Sequence, residues 1–335
     1  MKATSYAGLW IKRFLMEYLI SIRNLSKNTQ LSYRDTFRLL LPFASNRSKV
    51  SIDKLMVEDI TPEIIKMFLT ELETDRKCSL STRNQRLSAV HAFAKFVGLN
   101  SPEHVEWCRQ INMIPFKKAK KTLITYLEKS EMDALLDAPD SKSEQGMRDH
   151  ALLLFLYNTG ARADEAAQLM IKDLSIKSSM NTLSTVLIKG KGNKPRRCPL
   201  WEQTQKELSI LIAERAASEH VFLNRLKQPI TRFGIHNMVK RYVELVAGEN
   251  PSIRKKKVSP HTIRHTTATH LLQSGVDINT IRAWLGHVSI NTTNIYAEVD
   301  LNMKAKALAC CEIKGDAGQT HWRDRKDLMA FLDSL

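Results

Sequence analysis

Over the first hundred residues the hydrophobic positions recur every three or four, the spacing that gathers one face of an α-helix. Ile11, Phe14, Leu15, Tyr18, Leu19 and Ile22 form the first such stripe; Tyr33, Phe37, Leu40 and Leu41 form the second, in a helix starting near Ser26. Thr61-Pro62, a hydroxyl N-cap with proline at the first helical position, opens a third helix over Ile64, Ile65, Phe68 and Leu72. A fourth starts near Ser81, buries Leu87, Val90, Phe93 and Val97, and is expected to stop at Gly98. Then the stripe fails. Pro115 is followed by Lys117-Lys118-Ala119-Lys120-Lys121, which reads as a basic linker.

Beyond the linker two periods mix. Ser130 to Asp133 predicts a capping box for a helix through Leu136, and the apolar run Ala151–Tyr157 predicts a helix ending at Thr159-Gly160 in a left-handed cap. Two β-branched or strand-like runs, Thr185–Ile188 and Arg197–Leu200, flank Gly190-Lys191-Gly192-Asn193-Lys194, the pattern of a β-hairpin. Helices follow at about 201–216 and 232–247. Ser259-Pro260 opens another, which stops near Gly275; Asp277–Leu285 makes a short one closed by Gly286, and Asn291 starts the next. The pattern predicts a mainly α protein with a small antiparallel β-sheet, in two parts: a helical unit over 1–110 and, after a linker over 111–122, an α+β unit from 123.

Composition narrows the partner. The 335 residues carry 51 Lys+Arg against 35 Asp+Glu, a formal charge of +16, while 43% hydrophobic residues suffice for real cores. So large a positive excess opposes compaction by self-repulsion and points to a polyanion, nucleic acid before an anionic membrane surface. The five cysteines, Cys78, Cys108, Cys198, Cys310 and Cys311, fit neither a disulfide framework nor a zinc knuckle. No signal-peptide pattern opens the chain, and no apolar run approaches the ~18 residues of a membrane span. A cytoplasmic protein is expected. Arg76, Lys77, Arg83 and Arg86 flank the third and fourth helices; with Lys117, Lys118, Lys120 and Lys121 of the linker, and Arg254, Lys255, Lys256 and Lys257 of a later loop, they are the candidate phosphate contacts.

The chemistry concentrates between 162 and 296. His261 and Arg264, at i and i+3, share a helix face beside an N-terminus whose N–H groups favour an anion. Arg162 begins a helix just past Gly160, where a cation is out of place without an anion or carboxylate partner, and Glu165 three residues on supplies one. Lys191 sits at the hairpin tip between two glycines, mobile and reachable. His287 follows Gly286, and Tyr296 comes nine residues later. A phenol, with a pKa of about 10, attacks at neutral pH only if a base takes its proton, and His261 is the candidate. There is no serine-nucleophile elbow, no Cys–His signature and no convincing carboxylate cluster for a metal, so Tyr296 stands as a candidate nucleophile beside the commoner role of a packing tyrosine.

Thr159-Gly160-Ala161-Arg162-Ala163-Asp164-Glu165, Gly190–Lys194, His261-Thr262-Ile263-Arg264-His265, Leu285-Gly286-His287 and Thr293-Asn294-Ile295-Tyr296 together resemble the signature boxes of the tyrosine recombinases, over about 115–312 and in the family's order. The helical unit resembles that family's core-binding domain on pattern and position. The resemblance implies that Arg162 and Arg264 clamp the scissile phosphate and that Tyr296 attacks it, leaving a 3′-phosphotyrosyl link. It makes Lys191 the general acid for the departing 5′-oxygen. His261 accepts the tyrosine proton, His287 supports the phosphate, and Glu165 orients the first arginine. It also implies no cofactor, neither ATP nor a divalent metal. The partner is double-stranded DNA carrying recombination sites, bound by a homotetramer with accessory or partner recombinase proteins as further candidates. The catalytic domain then spans 123–312. The tail 313–335 is an extension expected to touch a neighbouring protomer, as is the helix near Lys304–Cys311. Ala161 and Glu298 depart from the common pattern outside the catalytic set. Site-specific recombination on the nucleoid, for a mobile element or for Xer-type resolution, is the expectation. The alternatives are a type IB topoisomerase-like activity, a catalytically silent DNA-binding regulator and, last, a metal-dependent nuclease.

Overall fold

The computed structural model describes residues 6–118, 124–176, 183–190 and 194–286. The chain divides into two compact units, Met1–Thr122 and Leu123–Leu335. The first is all helix. It contains α1 (Ala7–Arg13), continued by a π-helical stretch over Phe14–Ile22, then α2 (Lys27–Ser48), α3 (Pro62–Thr74), α4 (Leu80–Asn100) and α5 (Val105–Asn112). The π-helical winding explains which part of the first stripe is used: Phe14 and Leu19, five apart, are both buried, while Ile22 is 69% exposed. Thr61 caps α3 as its sequence predicts, accepting from the Ile64 N–H at 3.3 Å. Phe14 sits among Phe37, Phe93 and Phe96, with ring centroids 5.6–6.1 Å away, and this aromatic cluster anchors the core.

Gly98 does not stop α4. A Cβ there would lie 2.7 Å from both Cβ and Sγ of Cys108, so glycine lets α4 and α5 approach closely. The sequence reading has no α5; its Trp107 and Ile111, and Ile114 just beyond, belong to this unit's core. Trp107 Nε1 donates to the Ile60 carbonyl at 3.0 Å, which ties the segment down.

The second unit begins with α6 (Lys129–Asp137), α7 (Glu144–Thr159) and the short α8 (Ala163–Ala167). The start of α6 lies earlier than expected and is closed by Glu131, not Ser130: the Glu131 carboxylate accepts from the Glu128 N–H at 2.8 Å. An antiparallel sheet of order β1 (Leu174–Ser175), β2 (Thr185–Lys189), β3 (Pro195–Pro199) follows. The β2–β3 pairing is the expected hairpin, with Val186 opposite Cys198 and Ile188 opposite Arg196, and the Gly190 N–H closes it on the Lys194 carbonyl at 2.9 Å. The two-residue β1 is too short to leave a sequence pattern. Then come α9 (Glu202–Ile212), α10 (Arg232–Val246), α11 (Pro251–Arg254), α12 (Pro260–Gln273) and α13 (Ile278–Leu285). α7 is buried along most of its length and forms the spine of this unit's core, Phe155 packing on Phe222 at 5.6 Å. No described helix is long and apolar enough to cross a membrane.

Candidate active site

Four chain segments meet at the C-terminal end of α7. Gly160 ends that helix at φ +60°, and its left-handed turn sends Ala161 into the core and Arg162 to the start of α8. From α12, Arg264 reaches back and donates to the Gly160 carbonyl at 2.6 Å and to the Leu285 carbonyl, the last residue of α13, at 2.7 Å. Asn158 ties β3 to the same corner, donating to the Pro199 carbonyl at 3.3 Å while its Oδ1 accepts from the Trp201 N–H at 2.9 Å. The start of α12 has Ser259 as N-cap and Pro260 at the first helical position, as the sequence predicts, and Thr262 completes a capping box with Ser259. Thr267 on the same helix donates to the Tyr157 carbonyl at 2.7 Å and fixes α12 against α7.

Within this corner Glu165 is the central acceptor. Its carboxylate takes the Arg162 backbone N–H at 2.9 Å, Arg162 Nη1 at 2.6 Å and Arg196 Nη2 at 2.7 Å. Burial acts to raise its pKa, but the hydrogen bond and charge of Arg196, with Arg162 behind them, outweigh that and hold the carboxyl below its usual range. It is a carboxylate at neutral pH. Arg162 leaves 30% of its side chain accessible, while Arg264 is buried.

His261 presents its side chain at the solvent side of the α12 start. Neighbouring protein mass lowers its pKa, and so do the positive charges of Arg264 and Arg162, against a smaller pull from Glu165. Neutral imidazole at pH 7 can accept a proton. One turn on, His265 is pushed down to about 4 by burial, then by His261 and Arg264.

Of the residues expected to act, Arg162, Glu165, His261 and Arg264 are brought together. Lys191, His287 and Tyr296 lie outside the described residues, as do Lys120, Lys121, the stretch near Lys304–Cys311 and the tail 313–335. Lys191 follows Gly190 at the hairpin end, and His287 follows Gly286, the left-handed cap of α13 at φ +67°.

The candidate phosphate cations divide into two kinds. Arg76, Lys77, Lys118, Arg254, Lys255 and Lys257 are exposed. Arg83 is instead buried, 3.4 Å from Glu73 and donating to the Pro115 carbonyl at 3.2 Å. Arg86 donates to Ser32 and Thr36 of α2. Lys117 pairs with Glu73 at 2.8 Å and Lys256 with the buried Glu131. These four brace the fold. Among the described residues no group of three His, Cys, Asp or Glu side chains gathers as a metal site.

Arg196 escapes the sequence reading. The signal was present, since strand alternation puts it on the face of Cys198, and an arginine at an inward strand position calls for a buried anion.

Residues 125–303 match the family model described as "Phage integrase family", and residues 11–98 match "Phage integrase, N-terminal SAM-like domain". The chain named as integrase/recombinase y4rC of Sinorhizobium fredii is 36% identical over 337 residues, covering 100% of this chain and 99% of that one. Tyrosine recombinase XerC of Bacillus subtilis (strain 168) is 27% identical over 300 residues, 87% of this chain and 92% of the other. Among solved structures, the Tn1549 transposon integrase in complex with transposon right end DNA superposes with a TM-score of 0.69 at 17% identity, over 92% of this chain and 99% of that one. XerH site-specific recombinase bound to difH substrate gives 0.65 at 22%, over 91% and 95%. Those two share the fold: helices with a small antiparallel sheet. With both family models matched and a full-length relative at this identity, the chain belongs to the phage integrase family, the tyrosine-type site-specific DNA recombinases.

Proposed function

We propose that this recombinase cuts and rejoins double-stranded DNA at specific sites by two transesterifications through Tyr296. The observation that carries the reading is the convergence of Arg162, Arg264 and His261 at the end of α7, two guanidinium ions beside an imidazole kept neutral. Arg162 and Arg264 neutralise the non-bridging oxygens of the scissile phosphate, whose charge grows in the pentacoordinate transition state. Glu165 fixes the Arg162 fork. His261 takes the phenolic proton as Tyr296 attacks, Lys191 protonates the departing 5′-oxygen, and His287 hydrogen-bonds the phosphate. The 3′-phosphotyrosyl ester retains the energy of the broken bond, so a 5′-hydroxyl of the partner strand can reverse the step without ATP or a divalent metal.

The exposed cations Arg76, Lys77, Lys118, Arg254, Lys255 and Lys257 would supply backbone contacts, with the salt dependence that phosphate neutralisation brings. We assign residues 1–110 to a core-binding domain, 111–122 to a linker and 123–312 to the catalytic domain, with 313–335 as a contact to a neighbouring protomer. Four copies on two duplexes, at the nucleoid, complete strand exchange. Similarity to a chain named as an integrase/recombinase favours service to a mobile element.

A suicide DNA substrate whose nicked strand cannot be religated tests this. Wild type accumulates a covalent protein–DNA adduct in EDTA, and Tyr296→Phe binds the same DNA without any. Absence of an adduct from wild type, or an adduct in Tyr296→Phe, would refute the assignment and leave a silent DNA-binding regulator or another nucleophile.

A further inference from the structure

Arg196 has no part in the chemistry above, yet it is a buried charge paired at the centre of the site. Its side chain is 7% exposed, and it shares the Glu165 carboxylate, itself 5% exposed, with Arg162. One buried anion therefore stands between two guanidinium ions. The three together carry +1; without Arg196 they would carry zero.

Stability does not account for this arginine. Its Nε and Nη1 are buried and find no oxygen or nitrogen acceptor among the described residues, the neighbouring Cys198 thiol being at best a weak one. Unsatisfied buried donors cost on the order of 1–3 kcal/mol each. A well-packed apolar residue at this inward strand position would avoid both that cost and the desolvation of the ion pair. The guanidinium also lies against the backbone leading into two of the proposed catalytic residues. A Cβ on Gly190 would lie 3.5 Å from Arg196 Nη1, and one on Gly286 3.4 Å from Nη1 and 3.1 Å from Cδ. The approach at Gly286 is tight, and glycine there gives Arg196 room; at Gly190 the distance is an ordinary contact.

We propose that Arg196 is a positioning residue that acts as the counter-charge of Glu165, so that Arg162 keeps its full positive charge for the scissile phosphate. Glu165 can then orient Arg162 without cancelling it. The inference rests on the reading of Arg162 as a phosphate clamp.

The test compares single-turnover cleavage of two suicide substrates. One has the native phosphate; the other has a methylphosphonate at the scissile position, which lacks one non-bridging oxygen and its negative charge. Arg196→Gln should bind DNA as wild type does but cleave the native substrate roughly tenfold to a hundredfold more slowly, the effect of one unit charge at site distances. On the methylphosphonate its deficit should largely vanish. Arg196→Lys, which keeps the charge, should recover most of the native rate. The double variant Glu165→Gln/Arg196→Gln restores the +1 balance and contains no uncompensated buried charge. Its ratio of native to methylphosphonate cleavage should return towards wild type, and this arm holds even if Arg196→Gln does not fold.

Equal deficits of Arg196→Gln on both substrates would overturn the proposal, because a displaced scaffold harms both alike. So would a wild-type native rate in that variant, or a double variant whose ratio falls as low as that of Arg162→Ala. Arg162→Ala separates the two levels of the argument. If it shows no selective loss on the native phosphate, the clamp reading falls and this inference with it. If it does and Arg196→Gln does not, the role of Arg196 alone is wrong.

Discussion

Arg162 and Arg264, alike in the proposed chemistry, are held in opposite ways. Arg264 is buried and supplies donors to two backbone carbonyls, Gly160 and Leu285, so it is a structural tie as well as a candidate clamp. Arg162 is partly accessible, and its carboxylate partner has a second cation in Arg196. Alanine should therefore separate the two. Arg264→Ala leaves two carbonyls without their charged donor and should lose about 2–4 kcal/mol of stability. Arg162→Ala should lose about 1 kcal/mol or less. Urea unfolding of both variants decides it, and equal losses would contradict the arrangement. The cleavage defect of Arg264→Ala thus has to be measured well below its unfolding temperature.

At the level of elements, the two left-handed caps do most to shape the site. Gly160 turns the chain from α7 into Arg162, and a Cβ there would meet Leu285 Cδ2 at 2.5 Å. Gly160→Ala combines a disfavoured backbone with a clash, and a loss of roughly 2–3 kcal/mol is expected, with cleavage falling more than DNA binding. A urea midpoint matching wild type would show that the turn tolerates a side chain. The caps at Thr61, Ser259, Gly160 and Gly286 were legible because each rests on a local rule about hydroxyls, proline or glycine. Gly98 was misread because close helix approach is a tertiary fact: in sequence it looks like any helix stop. The capping role of Glu131 is local instead, a Glu128–Glu131 box two residues before the Ser130–Asp133 pattern, and the π-helical winding after Arg13 leaves no mark in a stripe of 3–4 spacing. In the site, Arg162, Glu165, His261 and Arg264 could be named from spacing and resemblance. Arg196 could not, because its partner is 31 residues away and only the pleat puts it inside.

Across the molecule, burial of histidine sets the response to acid. His91, His265 and His270, all partly buried, have pKa values below the ordinary 6.5, burial being the largest cause in each. They are neutral when folded and charge more readily when unfolded. Below pH 6.5 the unfolded chain thus binds more protons, and stability falls until each folded-state pKa is passed, about 4 for His265. His265 alone should contribute about 1–2 kcal/mol of loss at pH 5, after allowance for its partial exposure. Urea midpoints should drop from pH 7.5 to pH 5, less so in His265→Gln; a rise on acidification would contradict this. The bonds that draw the site together also have a consequence in time. Arg264 closes on Gly160 across 104 positions of chain, and Arg196 on Glu165 across 31. A chain cut short of α12 lacks Arg264 and so cannot hold both guanidinium ions in place, whatever the rest of the unit has done. The proposed phosphate clamp is therefore completed only late in synthesis, and a copy truncated before α12 is expected to leave DNA uncut.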